Sequence, residues 1–315
     1  MIVTLTPNPS IDRAVMIDAL HPGEVHRATA NRIDPGGKGV NVSRALVAQG
    51  AETTAVLPIG GPEGHLLEEL LDTEGVPRRS VPVSGAVRMN ISILEPDGTT
   101  TKLNEPGPAL DETEVATLLD HTLDLAVDAD WIVGCGSLPP GVPADFYAQL
   151  VLAARERNVR VAIDSSGPSM SAAMAARPHL IKPNNDELAE LVGAELATLK
   201  DVRDAALTLV DGGIDIVAVS LGQDGALLVT REDTVHAHAH SVTPLSTVGA
   251  GDCMLAGLLH SLTTGMPASA ALAVAVRWGT AAVALAGSGV PSPEDLRAVD
   301  VAVDASPSLT YRLGQ

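Results

Sequence analysis

Short runs of aliphatic and β-branched residues recur along the chain, each closed by Gly, Pro, Asp or Ser and followed by a stretch with helical spacing. The clearest are "AVLPIGG", "WIVGCGSLPPG", "VRVAIDSSG", "HLIKPNNDE" and "IVAVSLGQDG". This alternation predicts βαβ units and a largely parallel sheet. Ligands of such sheets bind outside the carboxyl ends of the strands. The polar residues gather at those ends, at Gly136-Ser137, at Asp164 to Gly167, at Lys182-Pro183-Asn184 and at Ser220-Leu221-Gly222.

Two stretches break the rhythm. Residues 11–34 carry no obvious helix, and residues 87–104 hold two period-2 runs joined by "PDG", the signature of a hairpin. Together they predict one small antiparallel sheet, assembled from separated segments and covering the core. The last ten residues read as a short strand or tail.

Composition narrows the picture. At 315 residues with 45% hydrophobic and only 2% aromatic side chains, the chain is long enough for a large core, built of Ala, Val, Leu and Ile. The net charge of −19 repels nucleic acid and anionic membranes on average, so a phosphorylated ligand needs a local cluster of cations. Cys135 and Cys253 fit no metal-ligand spacing and are expected to be core residues. The first residues read as a strand and not as a signal peptide. The longest apolar stretch, from Ala270, is interrupted by Arg277. A soluble, cytoplasmic protein is expected.

The candidate chemistry centres on "STVGAGDCMLAGLL". Glycines at 249 and 251 permit close backbone approach, and main-chain N–H groups at the start of a helix near Asp252 form an anion hole. An aspartate there can take the proton of an attacking hydroxyl during phosphoryl transfer, although Asp also favours helix starts for dipole reasons alone. In "DPGGKGVNVSRAL" a glycine pair precedes Lys38 and Asn41; these could hold hydroxyls or phosphate, or simply turn a loop into a helix. GxxxxGK[ST] is absent, which excludes a P-loop NTPase. Asn184 and Glu187 are spaced to hold the water shell of Mg²⁺, or equally to close a capping box. Ser220, Gly222 and Gly225 could line a nucleotide or form a plain hairpin. His236, His238 and His240 share one strand face, where a solvated edge strand is favoured over a metal site.

Taken together, these motifs resemble the PfkB family of ribokinase-like sugar kinases over essentially the whole chain. "PGGKGVNVSRAL" resembles the family's first signature and "STVGAGDCMLAGLL" its second, with "GSLPPG", "DSSG", "KPNNDEL" and "VSLGQDGA" in the family's order. Within the family the chain is most similar to members acting on fructose 1-phosphate, through "TLTPNPSIDR" and "VRMNISILEPDGTTTKLNEPGP".

The resemblance implies an α/β fold, a three-layer α/β/α sandwich with a small β-sheet lid. The core would comprise residues 1–10, 35–86 and 105–315, and the lid residues 11–34 and 87–104. It further implies a homodimer joined lid to lid, with Mg²⁺ and ATP as co-substrate. Asp252 would be the base, with the amides of Gly249, Ala250 and Gly251 facing the transferring phosphoryl group. Asp12, Gly37, Lys38, Asn41 and Ser137 would meet the sugar, while Arg88, Asn90, Lys102 and Asn104 would reach its existing phosphate. Lys182, Asn184, Ser220, Gly222 and Gly225 would contact ATP, and Asn184 with Glu187 the metal through water. Fructose 1-phosphate is the expected acceptor, and tagatose 6-phosphate and fructose 6-phosphate are the alternatives. A non-catalytic sugar-phosphate sensor is the reading from a different class.

Overall fold

The computed structural model describes residues 1–240 and 242–314. Its main sheet has ten strands in the order β14-β13-β12-β11-β10-β9-β8-β1-β4-β5. These are β1 (Ile2–Leu5), β4 (Thr53–Ile59), β5 (Arg78–Pro82), β8 (Trp131–Cys135), β9 (Arg160–Asp164), β10 (Leu180–Ile181), β11 (Ile216–Ser220), β12 (Ala226–Val229), β13 (Thr234–Ala239) and β14 (Val301–Asp304). The strands from β5 to β11 run parallel, and β12, β13 and β14 extend the sheet antiparallel.

Side chains alternate across the strands and separate two cores. On one face Val3, Ile132, Val161, Ile163, Val217 and Val219 pack with Leu118, Leu150, Met170 and Val202. The last four come from α3 (Glu112–Asp124), α4 (Phe146–Arg155), α5 (Gly167–Ala175) and α7 (Leu199–Asp211). On the other face Trp131, Val133, Ala162, Ala218 and Leu228 meet α1 (Lys38–Ala48), α8 (Ala250–Thr263) and α9 (Ala268–Val283). Small residues on this face let α8 and the Ala-rich α9 lie close to the sheet and to each other. A Cβ on Gly257 would stand 3.0 Å from Trp278. Close contact thus supplies the dispersion energy that few aromatic rings are present to give.

The second sheet holds β2 (Ser10–Met16), β3 (Ala30–Gly36), β6 (Arg88–Leu94) and β7 (Thr100–Asn104), in the order β3-β2-β6-β7. It is mixed and not purely antiparallel, because β2 pairs with β6 in parallel while the two outer pairs are antiparallel. The reason lies in the core: β2 follows β1 and β6 follows β5, and since β1 and β5 point the same way, both excursions leave in one direction. The "PDG" turn forms as the sequence predicts, with Asp97 accepting the Thr99 N–H at 2.8 Å and Gly98 at φ 92°.

The histidine strand also differs from its expectation. β13 is not an edge, since Val301–Asp304 pairs along it as β14. His236 is buried, with Nε2 2.7 Å from Asp224 O, and its ring stacks on His238. Burial pushes its pKa below the usual imidazole range. No cluster of three metal-ligating side chains occurs among the described residues. Nor is any of their helices long and apolar enough to cross a membrane.

Candidate active site

A cavity of about 470 Å³ opens between the carboxyl ends of the parallel strands and the inner face of the small sheet. The lid register decides which side chains face it. Ser10 pairs with Arg88, and Asn90 lies between Asp12 and Asn104, so these five share one face and all line the cavity. Lys38, Asn41, Lys182, Asn184, Glu187, Ser220, Gly249, Gly251 and Asp252 complete it from the core side.

Asp252 sits in the first turn of α8. Gly249 begins that helix at φ 79°, a left-handed conformation that glycine adopts without strain. The first helical bond runs from Cys253 N–H to Gly249 O, and Ala250 N–H reaches only Thr247 O at 3.4 Å. The amides ahead of that bond therefore point toward the cavity mouth, with the helix dipole behind them. Asn41 Nδ2 donates to Asp252 Oδ2 at 2.8 Å. Gly37 precedes α1 at φ 113°, also a positive value but with a different, extended ψ, and brings Lys38 to the cavity.

Beneath Asp252 lies a second, fully buried carboxylate. Asp164 ends β9, with Lys38 Nζ 2.7 Å from one oxygen and Lys182 Nζ 3.2 Å from the other. Burial alone would push the Asp164 carboxyl up, but the two ammonium groups outweigh it and hold it below the usual range. Asp164 in turn holds Lys38 firmly protonated, its pKa raised. Asp252 goes the other way. Burial, reinforced by the charge of Asp164, lifts it to about 6 against the pull of Lys38, Asn41 and Lys182. Asp252 thus stands beside an acid that two cations favour in its ionised form, while its own pKa is raised.

Asn184 and Glu187 close a reciprocal capping box on α6 (Asn185–Val192) while lining the cavity. The capping-box reading of that motif therefore holds, at a place that also faces the cavity. Glu187 Oε2 accepts the Asn184 N–H at 2.9 Å, and its other oxygen makes no hydrogen bond among the described residues. On the lid, Arg88 donates to Glu105 O and Asn8 O, both at 3.1 Å, while its Nε is buried with no partner. Burial lowers the Arg88 pKa, opposed by Asp12 and Glu105. An unpartnered guanidinium N–H beside the cavity is a ready anion contact.

Five of the residues singled out from the sequence do not line this cavity. Lys102 pairs with Ser92, one step farther out on the lid face, and is exposed. Ser137 is exposed, its hydroxyl accepting from Asn8 Nδ2 at 3.3 Å. Ala250 lies between two lining glycines. Gly222 lines a neighbouring cavity with the carboxyl-terminal segment. Gly225 packs its α-carbon against β13, where a Cβ would meet Ala237 O at 2.1 Å.

Residues 6–295 match the pfkB family carbohydrate kinase. The chain belongs to that family. It is 38% identical over 305 residues to the 1-phosphofructokinase of Rhodobacter capsulatus, covering 95% of each chain. It is 39% identical over 284 residues to the ATP-dependent 6-phosphofructokinase isozyme 2 of Escherichia coli, covering 89% of this chain and 90% of that one. The crystal structure of Escherichia coli phosphofructokinase-2 with substrates and products superposes with a TM-score of 0.90 at 37% identity, covering 94% and 97% of the two chains. This carbohydrate kinase is accordingly a phosphotransferase with an alcohol acceptor.

Two buried charged residues of the kinase, Asp164 and Arg44, were given no role from its sequence. Asp164 stands in the "DSSG" strand end, a position that marked it as ligand-proximal without revealing its cations. Arg44 shares its helix with Lys38 and Asn41 and is buried. Only its place one helical turn beyond Asn41 could have drawn notice.

Proposed function

We propose that this chain transfers the γ-phosphoryl group of ATP to the 6-hydroxyl of fructose 1-phosphate, giving fructose 1,6-bisphosphate and ADP. The observation that carries the reading is Asp252. It is a buried carboxyl near neutrality at a helix N-terminus, inside a cavity with Lys38 and Lys182 on one side and Arg88 on the other.

In this reading Asp252 accepts the proton of the sugar hydroxyl as its oxygen bonds to the γ-phosphorus and the bond to the bridging oxygen of ADP breaks. The amides of Gly249, Ala250 and Gly251 and the Lys38 ammonium face the charge that builds on the transferring group. Asp12, Gly37, Asn41 and Ser137 take the sugar hydroxyls. Arg88, Asn90 and Asn104 take the existing phosphate, with Lys102 at the outer rim. Lys182, Asn184 and Ser220, with Gly222 and Gly225 in the turn that follows, take the nucleotide. Glu187, whose second oxygen is uncommitted, and Asn184 suit a hydrated Mg²⁺, whose chemistry is to neutralise the nucleotide phosphates. Lid-to-lid pairing in a homodimer belongs to the same proposal. It is supported by the half-exposed Val15, Ile91 and Ile93 and the exposed Leu103 on the face of the small sheet turned away from Asp12 and Asn90.

The near-equal identity to the Escherichia coli 6-phosphofructokinase isozyme favours one second reading, in which fructose 6-phosphate is the acceptor. An ADP-release assay with fructose 1-phosphate, fructose 6-phosphate and tagatose 6-phosphate separates the readings by kcat/KM. The highest value is expected with fructose 1-phosphate. A higher value with either other sugar reassigns the acceptor, and binding without any ADP release removes the kinase reading.

A further inference from the structure

Arg44 is 3% exposed, yet no step above uses it. Nε and Nη2 clamp the two carboxylate oxygens of Glu74, at 2.6 and 2.8 Å, at the end of α2 (Gly61–Thr73). Nη1 faces the other way, toward Ser288 O at 2.9 Å, Pro35 O and Asn41 Oδ1 at 3.2 Å, and Ser288 Oγ at 3.3 Å. The two hydrogens on that nitrogen are shared among four acceptors.

The contact with Asn41 matters because of what lies beyond it. A side-chain amide has one end that only accepts and one that only donates, and a guanidinium carries donors alone. Asn41 stands between Arg44 and Asp252. Only one orientation satisfies both neighbours, with Oδ1 toward Arg44 and Nδ2 toward Asp252 Oδ2. The flipped amide would set oxygen against carboxylate at one end and N–H against N–H at the other.

We infer that Arg44 is a positioning residue that locks the Asn41 amide, so that the base always meets a donor. The other charges facing Asp252 are Lys38 from the same helix, Asp164 from the end of β9, and Lys182 after β10. None of them touches the Asn41 amide by hydrogen bond among the described residues, so Arg44 is the one charged group besides the base itself that holds its orientation. The inference rests on Asp252 being the base.

The test is the acidic limb of kcat/KM against pH. Arg44→Met keeps the stem and removes every donor, freeing Asn41 to turn. The limb should move up by about one pH unit, the equivalent of one hydrogen bond to an ionised group. Substrate phosphate titrates alike in every variant, so the displacement reports the protein. Glu74→Gln breaks the clamp at the other end and leaves Nη1 in place; it should lower the melting temperature without moving the limb. Asn41→Leu should move the limb by itself, and adding Arg44→Met should move it no further. Where Arg44→Met does not fold, Arg44→Lys serves, with a smaller displacement. A limb unmoved in an active Arg44 variant, or moved equally by Glu74→Gln, overturns the inference. Asp252→Asn separates this from the reading beneath it. If that variant is inactive while the Arg44 limb stays put, only the role of Arg44 falls; if it keeps turnover, the base assignment falls instead.

Discussion

The two walls of the cavity are built differently. On the core wall the groups around the base are already paired: Asp164 with Lys38 and Lys182, Asn41 with Asp252 and Arg44, Arg44 with Glu74. On the lid wall several polar groups are under-used, with Arg88 Nε and Asn90 Oδ1 buried but without hydrogen-bond partners among the described residues. A wall whose charges hold one another in place before substrate arrives is set for chemistry, because little reorganisation is needed when charge develops. A wall with spare donors and acceptors on a small separate sheet is set for recognition, completing its bonds only with ligand. Substitutions on the core wall should therefore act on kcat and on stability, and those on the lid wall on KM.

The largest expected effect comes from Asp252→Asn. The variant keeps the side-chain volume but has no basic oxygen, so kcat should fall about a thousandfold or more. Stability should move in the opposite direction. The Asp252 carboxyl ionises near 6 in the folded chain and near 3.8 when exposed, so the unfolded chain releases this proton more readily and stability from this group is lost as pH rises through about 6. Asparagine does not titrate. The variant should melt higher than the parent at pH 8, by roughly 3 kcal/mol at most, with the advantage shrinking toward pH 4. Thermal melts across that range check the sign. A variant that is less stable at pH 8 would show that the site is not strained by its own base.

How much of this contrast was legible beforehand follows from the range of each signal. The alternating strands, the "PDG" hairpin and the glycine-led start of α8 are set by neighbours within a few residues, and all are present in the fold. Pairings across long separations were not legible. Lys38 and Asp164 are 126 positions apart and Arg44 and Ser288 are 244 apart, and no local pattern marks either pair. The direction of β2 against β6 and the covering of β13 by β14 depend on how distant segments return to the sheet. For the same reason the lid cations could be named but not placed. Register alone brings Arg88 to the cavity and leaves Lys102 one step outside.

Arg88→Ala sharpens the contrast from the other wall. Removing a charge-assisted contact costs about 1.5–3 kcal/mol, so KM for the sugar phosphate should rise roughly tenfold to a hundredfold while KM for ATP and the melting temperature stay close to the parent. Added salt should weaken sugar-phosphate binding by the parent more than by the variant, since the parent has one more cation at the cavity to screen. An increase in the ATP KM with no change for the sugar would move Arg88 to the nucleotide side and remove the division of labour between the walls.

The smallest effect tests whether proximity to the base is enough to matter. Cys253 follows Asp252 directly but turns into the core, 1% exposed, among α8, α9 and the sheet. Burial, with the Asp252 charge adding to it, pushes the thiol up to about 12. At neutral pH it is a neutral, inaccessible group, unable to act as a nucleophile or to share the proton of the base. Cys253→Ser replaces one small side chain with another whose hydroxyl can bond back to the helix carbonyl one turn before it. It should leave kcat/KM within about twofold and cost no more than about 1 kcal/mol, as for other near-isosteric core changes. Thiol reagents should leave the folded kinase active and react with Cys253 only on unfolding. A tenfold loss of kcat in Cys253→Ser with an unchanged melting temperature would mean that the core wall extends one residue deeper into α8 than the hydrogen bonds define.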